Sequence, residues 1–153
     1  MTNISIDQIK KLREKTGAGI ADCRRALEEA KGEGKKAEEL LRSWGIDKAA
    51  SKADREAGQG LVETYIHGGG KVGAMVEVNC ETDFVARTDE FKSLAHEIAM
   101  QVSAMNPVDV EELLKQEYIR DNSKTIGDLV KEAIAKLGEN IVVKRFMRFE
   151  LGQ

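Results

Sequence analysis

The sequence predicts an α+β protein, in which a block of short helices precedes an antiparallel sheet with helices packed on one face. Within residues 1–46, apolar residues recur at helical spacing and each run ends at a glycine. From Gly60 onward, apolar and polar residues alternate on both sides of "GGG", as expected for a β-hairpin. Helical spacing then returns, and the chain closes on another alternating stretch.

Three helices are expected in residues 1–46. In "SIDQIKKLREKT", Ile6, Ile9 and Leu12 share a helical face, and Ser5 or Asp7 can cap it. "IADCRRALEEAKG" and "KKAEELLRSWG" repeat the pattern. The predicted helix stops are Gly17, Gly32 and Gly45. So small a module is marginal alone, because it buries little apolar surface. Residues 47–59 are interpreted as a helical or extended connector to a core of residues 60–153.

In residues 60–80, one face of the first strand carries Val62, Thr64 and Ile66. One face of the returning strand carries Val72, Ala74, Val76, Val78 and Cys80. A helix is predicted over residues 88–105, a short helix in "DVEELLKQEY" and a longer one in "TIGDLVKEAIAKLGEN". The final "NIVVKRFMRFELG" is predicted to be a strand. Strict alternation puts on one side of it Ile141, Val143, Met147, Phe149 and Leu151. Val142 and Phe146 make the other side partly apolar, so a second copy or another packed helix could cover it.

Composition favours a cytoplasmic protein that binds other proteins. The 153 residues are 41% hydrophobic and 33% charged, with a formal net charge of −3. No apolar run approaches the ~20 residues that span a bilayer, and the start lacks a signal-peptide core, so no membrane partner is expected. Direct binding to nucleic acid is not expected either, because neither half of the chain is polybasic.

The candidate catalytic and metal motifs are weak. "HGGGKVG" lacks the Lys-Ser/Thr pair and the following helix of a phosphate loop, so a hairpin turn is favoured. Cys80 with His67 or His96 could form a nucleophile and base, but Cys80 lies in register with the predicted core face, where a thiol is inert. The cysteines and histidines show no zinc-ligand spacing, and the acids after Cys80 lack that of a calcium loop. We therefore expect no enzyme activity, no metal and no cofactor.

The segment "VNCETDFVARTDEF" raises a different possibility. Here a strand ends and Phe84 follows between an acid and a β-branched residue. Such a phenylalanine is either a core residue of its own sheet or a side chain directed at another molecule. The residues by themselves leave this choice open, and they indicate only a protein that binds an unidentified partner.

Three blocks of the chain resemble the translation elongation factor Ts family in its short form. They are "LREKTGAGIADCRRALEEAKG", "VEVNCETDFVAR" and "LGENIVVKRFMRFELG". The resemblance implies a ubiquitin-associated-like helical domain at the N-terminus. It also implies a guanine nucleotide exchange factor that binds elongation factor Tu, both GDP-bound and nucleotide-free, and speeds GDP release during translation elongation. The alternative is a ubiquitin-associated-like adaptor without exchange activity.

The resemblance also assigns residues to the contact with elongation factor Tu. Asp83 and Phe84, flanked by Thr82 and Val85, would enter near the magnesium and phosphate site of the GTPase. The N-terminal domain would bind another helix of it through matching positions at Arg13, Ile20, Ala21 and Arg24. The family often carries two methionines where this chain has Ile20 and Ala21, which is a departure.

A second departure from the family lies between residues 108 and 125. Relatives carry a longer insert with an elongated helical pair here, whereas this chain has about eighteen residues. Contacts with the distal part of elongation factor Tu are therefore expected to be reduced. Short members of the family dimerise through the sheet, so the resemblance predicts a homodimer.

Overall fold

The structure, a computed structural model, describes residues 3–153. It begins with three helices, α1 (Ile6–Thr16), α2 (Ile20–Glu29) and α3 (Gly34–Lys52). Ser5 caps α1, since its hydroxyl accepts the Gln8 N–H while the Gln8 side chain accepts the Ser5 N–H. Gly17 ends α1 in the left-handed conformation, at φ 68°. The small core between these helices comprises Leu12, Cys23, Ala26, Leu27, Ala30 and Ala37.

The third helix does not stop at Gly45, contrary to the sequence-based prediction. It continues through Gly45 to Lys52, so much of the expected connector is helical. Glycine inside a helix costs about 1 kcal/mol, but α3 packs along a later helix, and Gly45 there faces Ala135. Ala49, one turn further on, belongs to the main core. Tertiary packing therefore overrides the local stop signal.

The remaining elements in chain order are β1 (Gln59–His67), β2 (Val72–Cys80), α4 (Asp83–Ala86), α5 (Asp89–Met105), α6 (Val110–Lys115), β3 (Glu117–Tyr118), β4 (Asp121–Thr125), α7 (Ile126–Leu137) and β5 (Ile141–Glu150). The main sheet is antiparallel, in the order β1-β2-β5, and β3 pairs with β4 separately. Within residues 3–153, no helix is long and apolar enough to cross a bilayer. The fold is α+β, as predicted.

The hairpin of β1 and β2 has the predicted turn, and β2 has the predicted core face. In β1, Val62, Thr64 and Ile66 share one face as predicted, but this face is exposed. Gly68, Gly69 and Gly70 all have positive φ, and they connect His67 to its strand partner Val72. This turn joins two strands and opens no helix, as the hairpin interpretation of "HGGGKVG" requires. The inward side chains of β2 pack against α5. The buried residues of this contact are Ala74, Val76, Val78 and Cys80 on the strand and Phe91, Leu94, Ala95 and Ile98 on the helix.

The predicted faces of the last strand are wrong beyond Val143. Val78 pairs with Val143 but Glu77 pairs with Arg145, so Lys144 is an extra residue in a β-bulge. The bulge reverses the alternation. Ile141 and Val143 face the core as expected, and the residue that continues the inner face is Phe146. The side chains that turn outward are Met147 and Phe149, 59% and 71% exposed.

Residues 108–125 fold into α6 and the small β3–β4 hairpin. The short helix was predicted, but the two strands were not, since β3 has two residues and "DNSKT" has no apolar alternation. A buried side chain of α5 holds the hairpin: Gln101 donates to the Glu117 carbonyl at 3.0 Å and accepts from the Ile119 N–H at 3.1 Å. Tertiary hydrogen bonds thus specify this hairpin.

Candidate partner-binding site

Phe84 lies on the outer side of the one-turn helix α4, just past the end of β2. Its side chain is 79% exposed. The inner side of the same turn is packed, because Ala86 is buried and Val85 contacts the main core. Buried Ala86 and half-buried Val85 therefore hold the turn to the protein, while Phe84 points to solvent. This placement is the opposite of a core phenylalanine.

A cap and a neighbouring loop hold α4 in place. The Thr82 hydroxyl accepts the Val85 N–H at 3.4 Å, which caps the helix. Glu139, in the loop between α7 and β5, accepts both the Thr82 N–H at 3.0 Å and the Thr82 hydroxyl at 2.8 Å. The neighbouring residues are also hydrogen-bonded: the N–H of Asn140, which follows Glu139, donates at 2.7 Å to the carboxylate of Glu81, which precedes Thr82. Sequence reasoning missed Glu139 and Asn140, because residues 57 or more positions apart give no local signal.

Asp83 is held only loosely in the free protein. Its carboxylate pairs with Arg87 at 3.0 Å, one helical turn away, and both side chains are more than half exposed. Exposed pairs of this kind contribute about 0–1 kcal/mol. Asp83 can therefore exchange Arg87 for a group on a partner with little loss.

The four candidate residues of the N-terminal helices are exposed. Arg13 is near the end of α1, and Ile20, the first residue of α2, is 59% exposed. Ala21 follows it on the surface, and Arg24 makes an ion pair at 2.9 Å with Glu28 on the same helix. An exposed isoleucine beside a long cation offers both apolar and charged contacts to a partner.

A cleft of about 410 Å³ lies between the end of α1 and the start of α5. Arg13 and Gly17 line it from α1, and Glu90 lines it from the start of α5, close after α4. Lys136 of α7 closes the cleft, with its Nζ atom 3.9 Å from the Glu90 carboxylate. The structure thus brings Arg13 near the α4–α5 corner, whereas Ile20, Ala21 and Arg24 do not line this cleft.

Cys80 is placed as a core thiol. It is fully buried, and its sulfur donates to the Thr82 carbonyl at 3.1 Å. Burial raises the pKa of the Cys80 thiol, and the nearby Glu139 carboxylate raises it further. Both effects oppose formation of the nucleophilic thiolate.

Neither histidine is in a position to activate this thiol. Cys80 pairs with Gln59 and His67 pairs with Val72, so the two side chains lie about 26 Å apart along the hairpin. His96 packs edge-on against Tyr65, which pairs with Ala74, six residues before Cys80. Within residues 3–153, no group of three or more cysteine, histidine or acidic side chains could hold a metal ion.

Comparison with known proteins gives a consistent result over nearly the full chain. The family model described as Elongation factor TS matches residues 81–153. Elongation factor Ts of Thermoanaerobacter sp. (strain X514) is 46% identical, with 98% of this chain and 96% of the relative covered. The corresponding protein of Coprothermobacter proteolyticus is 45% identical, with 98% and 99% covered. That of Leptospira biflexa is 44% identical, with 97% and 98% covered.

The relatives and this chain differ in length. The alignment with the Thermoanaerobacter protein runs over 195 residues, more than the 153 residues of this chain. The relative therefore carries residues that have no counterpart in this chain. From its helical module through the exposed turn to its last strand, this chain belongs to the elongation factor Ts family of translation factors.

Proposed function

We propose that this protein is the guanine nucleotide exchange factor of elongation factor Tu, and that it binds Tu·GDP and promotes GDP release during translation elongation. The observation that carries the proposal is the exposure of Phe84 on an anchored turn. Asp83 and Phe84 enter the GTPase near its magnesium and phosphate site, with Thr82 and Val85 as the supporting residues of the turn. The protein breaks no covalent bond itself.

The geometry suits a side chain that acts as a wedge. Complete burial of a phenylalanine stabilises a complex by about 2–3 kcal/mol. The turn is already ordered by its cap and its buried residues, so little conformational entropy is lost on binding. Whatever this contact does to the affinity for GDP, GDP does equally to the affinity for the factor. The free energy gained by burying Phe84 therefore needs to be supplemented by further contacts that form only when the nucleotide is loosened.

The N-terminal helices supply the second part of the contact. Arg13, Ile20, Ala21 and Arg24 are exposed and bind a different helix of the same GTPase domain. In the position of the usual two methionines, Ile20 is branched and Ala21 is small, so the contact area here is smaller. We expect these helices to contribute mainly to affinity, and Phe84 mainly to the rate of release.

The test is the release of a fluorescent GDP analogue from elongation factor Tu, with excess unlabelled GDP. The unmodified protein should accelerate release, and Phe84→Ala should lower the acceleration by about 30- to 150-fold, which corresponds to 2–3 kcal/mol. Val108→Ala is the matched control, because Val108 is 85% exposed at the far end of α5. No acceleration by the unmodified protein would contradict the proposal and favour the adaptor alternative.

We also propose that two copies form a homodimer through the outer face of the main sheet. The exposed apolar residues of this outer face are Val62, Ile66, Met75, Met147, Phe149 and Leu151. Four of these residues lie in two rows that cross the strands. In one row Met75 pairs with Met147, and in the other Gly73 lies between its strand partners Ile66 and Phe149. Contiguous apolar patches of this kind mark interaction sites, and the commonest arrangement of two like chains is a twofold dimer.

Light scattering tests the dimer at micromolar concentration. The unmodified protein should show twice the mass of one chain, and Phe149→Glu should show the mass of one chain, because it places charges in the apolar interface. Lys92→Glu, on the exposed side of α5, is the control and should leave the mass unchanged. A single-chain mass for the unmodified protein would refute the homodimer.

A further inference from the structure

We infer that Glu139 is a positioning residue for nucleotide exchange, which fixes the direction in which Phe84 leaves the protein surface. The inference rests on the proposed exchange function. Glu139 lies in the loop between α7 and β5, and it is far from Phe84 in the sequence. It acts on Phe84 only through Thr82.

The need for such a residue follows from the size of α4. A helix of four residues has a single turn, and an isolated turn is unstable in water. Val85 and Ala86 hold its inner side, but the side chain of Phe84 has no comparable support because it is 79% exposed. The direction of Phe84 is therefore set by the backbone at the start of the turn, which is Thr82.

Glu139 holds Thr82 at two points. One carboxylate oxygen accepts the Thr82 N–H at 3.0 Å, and the other accepts the Thr82 hydroxyl at 2.8 Å. Two bonds from one planar group restrict both the position and the rotation of the residue, and bonds to a carboxylate are stronger than neutral ones. The same hydroxyl then accepts the Val85 N–H at 3.4 Å, so the restraint is passed on to the helix cap.

The loop that carries Glu139 is itself fixed. The Asn140 N–H donates to the Glu81 carboxylate at 2.7 Å. Residues 81–82 and 139–140 therefore donate hydrogen bonds to each other in both directions. The Asn140 side chain is buried and donates to the carbonyls of Ala53 at 3.4 Å and Arg55 at 2.8 Å, just past α3. One loop therefore connects the Phe84 turn to the segment that follows α3.

The first test measures release of a fluorescent GDP analogue as a function of factor concentration. Glu139→Ala removes both bonds to Thr82 and should lower the maximal release rate about 10-fold, while the half-saturating concentration changes less than about 3-fold. Glu139→Gln keeps one acceptor, so its maximal release rate should lie between those of the unmodified protein and Glu139→Ala. Glu111→Ala is the control, because its exposed pair with Lys115 is remote from the turn, and it should leave the rate unchanged.

A double-mutant cycle separates positioning from a general structural role. If Glu139 acts through Phe84, Glu139→Ala should lower the rate less than about 2-fold when Phe84→Ala is already present. An equal loss in both backgrounds, or no loss in the unmodified background, overturns the inference. Thermal unfolding of each variant shows that it remains folded at the assay temperature.

A second measurement needs no elongation factor Tu. Backbone NMR order parameters of residues 83–87 should fall from about 0.85 to below about 0.6 in Glu139→Ala and stay unchanged in Glu111→Ala. Unchanged values in Glu139→Ala would overturn the inference. A fall in these values, combined with no GDP release by the unmodified protein, would support the positioning role of Glu139 and refute the exchange function alone.

Discussion

Replacement of Gly60 by alanine tests how tightly the two strands of the hairpin approach each other. Gly60 is the second residue of β1 and pairs with Asn79 of β2, close to the end that leads into α4. Its φ of 142° is rare for residues with a side chain. The partner strand leaves no room for one either. A Cβ atom at Gly60 would lie 2.1 Å from the Val78 carbonyl oxygen and 2.7 Å from the Asn79 Cα atom.

The expected loss of stability combines two effects. The unusual backbone conformation adds about 1–3 kcal/mol of strain for alanine, and displacement of a well-packed neighbour adds about 1–3 kcal/mol. Both atoms in the way belong to the backbone of β2, so rotation of a side chain cannot relieve the clash. Gly60→Ala should therefore lower the free energy of unfolding by about 2–6 kcal/mol. For a domain of this size, the melting temperature should fall by roughly 4–24 °C.

Urea unfolding followed by far-UV circular dichroism measures this loss directly. Gly58→Ala is a matched control two positions away, because its φ is not positive and no atom lies within 4 Å of its Cβ position. It should change the free energy of unfolding by less than about 0.5 kcal/mol. If Gly60→Ala unfolds at the same urea concentration as the unmodified protein, the close approach of β1 and β2 does not limit this position and the reasoning is refuted.

Three further predictions concern the turn of the β1–β2 hairpin, an ion pair and the two thiols. Gly69→Ala should lower the free energy of unfolding by only about 1 kcal/mol, since φ is 67° but no atom lies within 4 Å; a loss as large as that of Gly60→Ala in urea would contradict this. Burial raises the pKa of Asp128, but the Thr125 N–H and the Arg42 guanidinium outweigh it, so the net pKa is lowered. Ionised Asp128 thus stabilises the folded protein above its unfolded pKa of about 3.9, and this contribution is lost as pH falls through its folded pKa. Arg42→Ala should lower stability by about 0.5–1 kcal/mol at pH 7 and by less at pH 3, measured by urea unfolding; a pH-independent difference would argue against the pair. Cys23 and Cys80 should react slowly with iodoacetamide in the folded protein and rapidly in denaturant, because burial raises the pKa of both thiols. Fast labelling of Cys80 in the folded protein would instead support a cysteine-dependent enzyme.

The regular elements could be predicted because each leaves a local pattern. Helical spacing and caps located α1, α2, α5 and α7, and alternation located the hairpin and the last strand. Where a prediction failed, a distant segment was the cause. Gly45 remains helical because α3 packs against α7, and the β3–β4 hairpin forms because the buried Gln101 holds it.

The candidate site divides in the same way. The segment around Phe84 could be selected from the sequence, because it follows a strand and resembles a family motif. Its exposure could not, since alternation counted from β2 cannot continue across the break after Cys80. Glu139 was invisible for the same reason as Gln101, because its partner lies on another loop.

The class of fold, the order of most elements and the family could be read from local patterns, because periodicity, caps and motifs are carried by neighbouring residues. Which side chains are exposed depends on the tertiary structure. The bulge at Lys144 turns Met147 and Phe149 outward. The two hydrogen bonds between Thr82 and Glu139 hold the turn that carries Phe84. Both depend on contacts between strands or loops far apart in the chain, and such contacts form only when the whole chain folds.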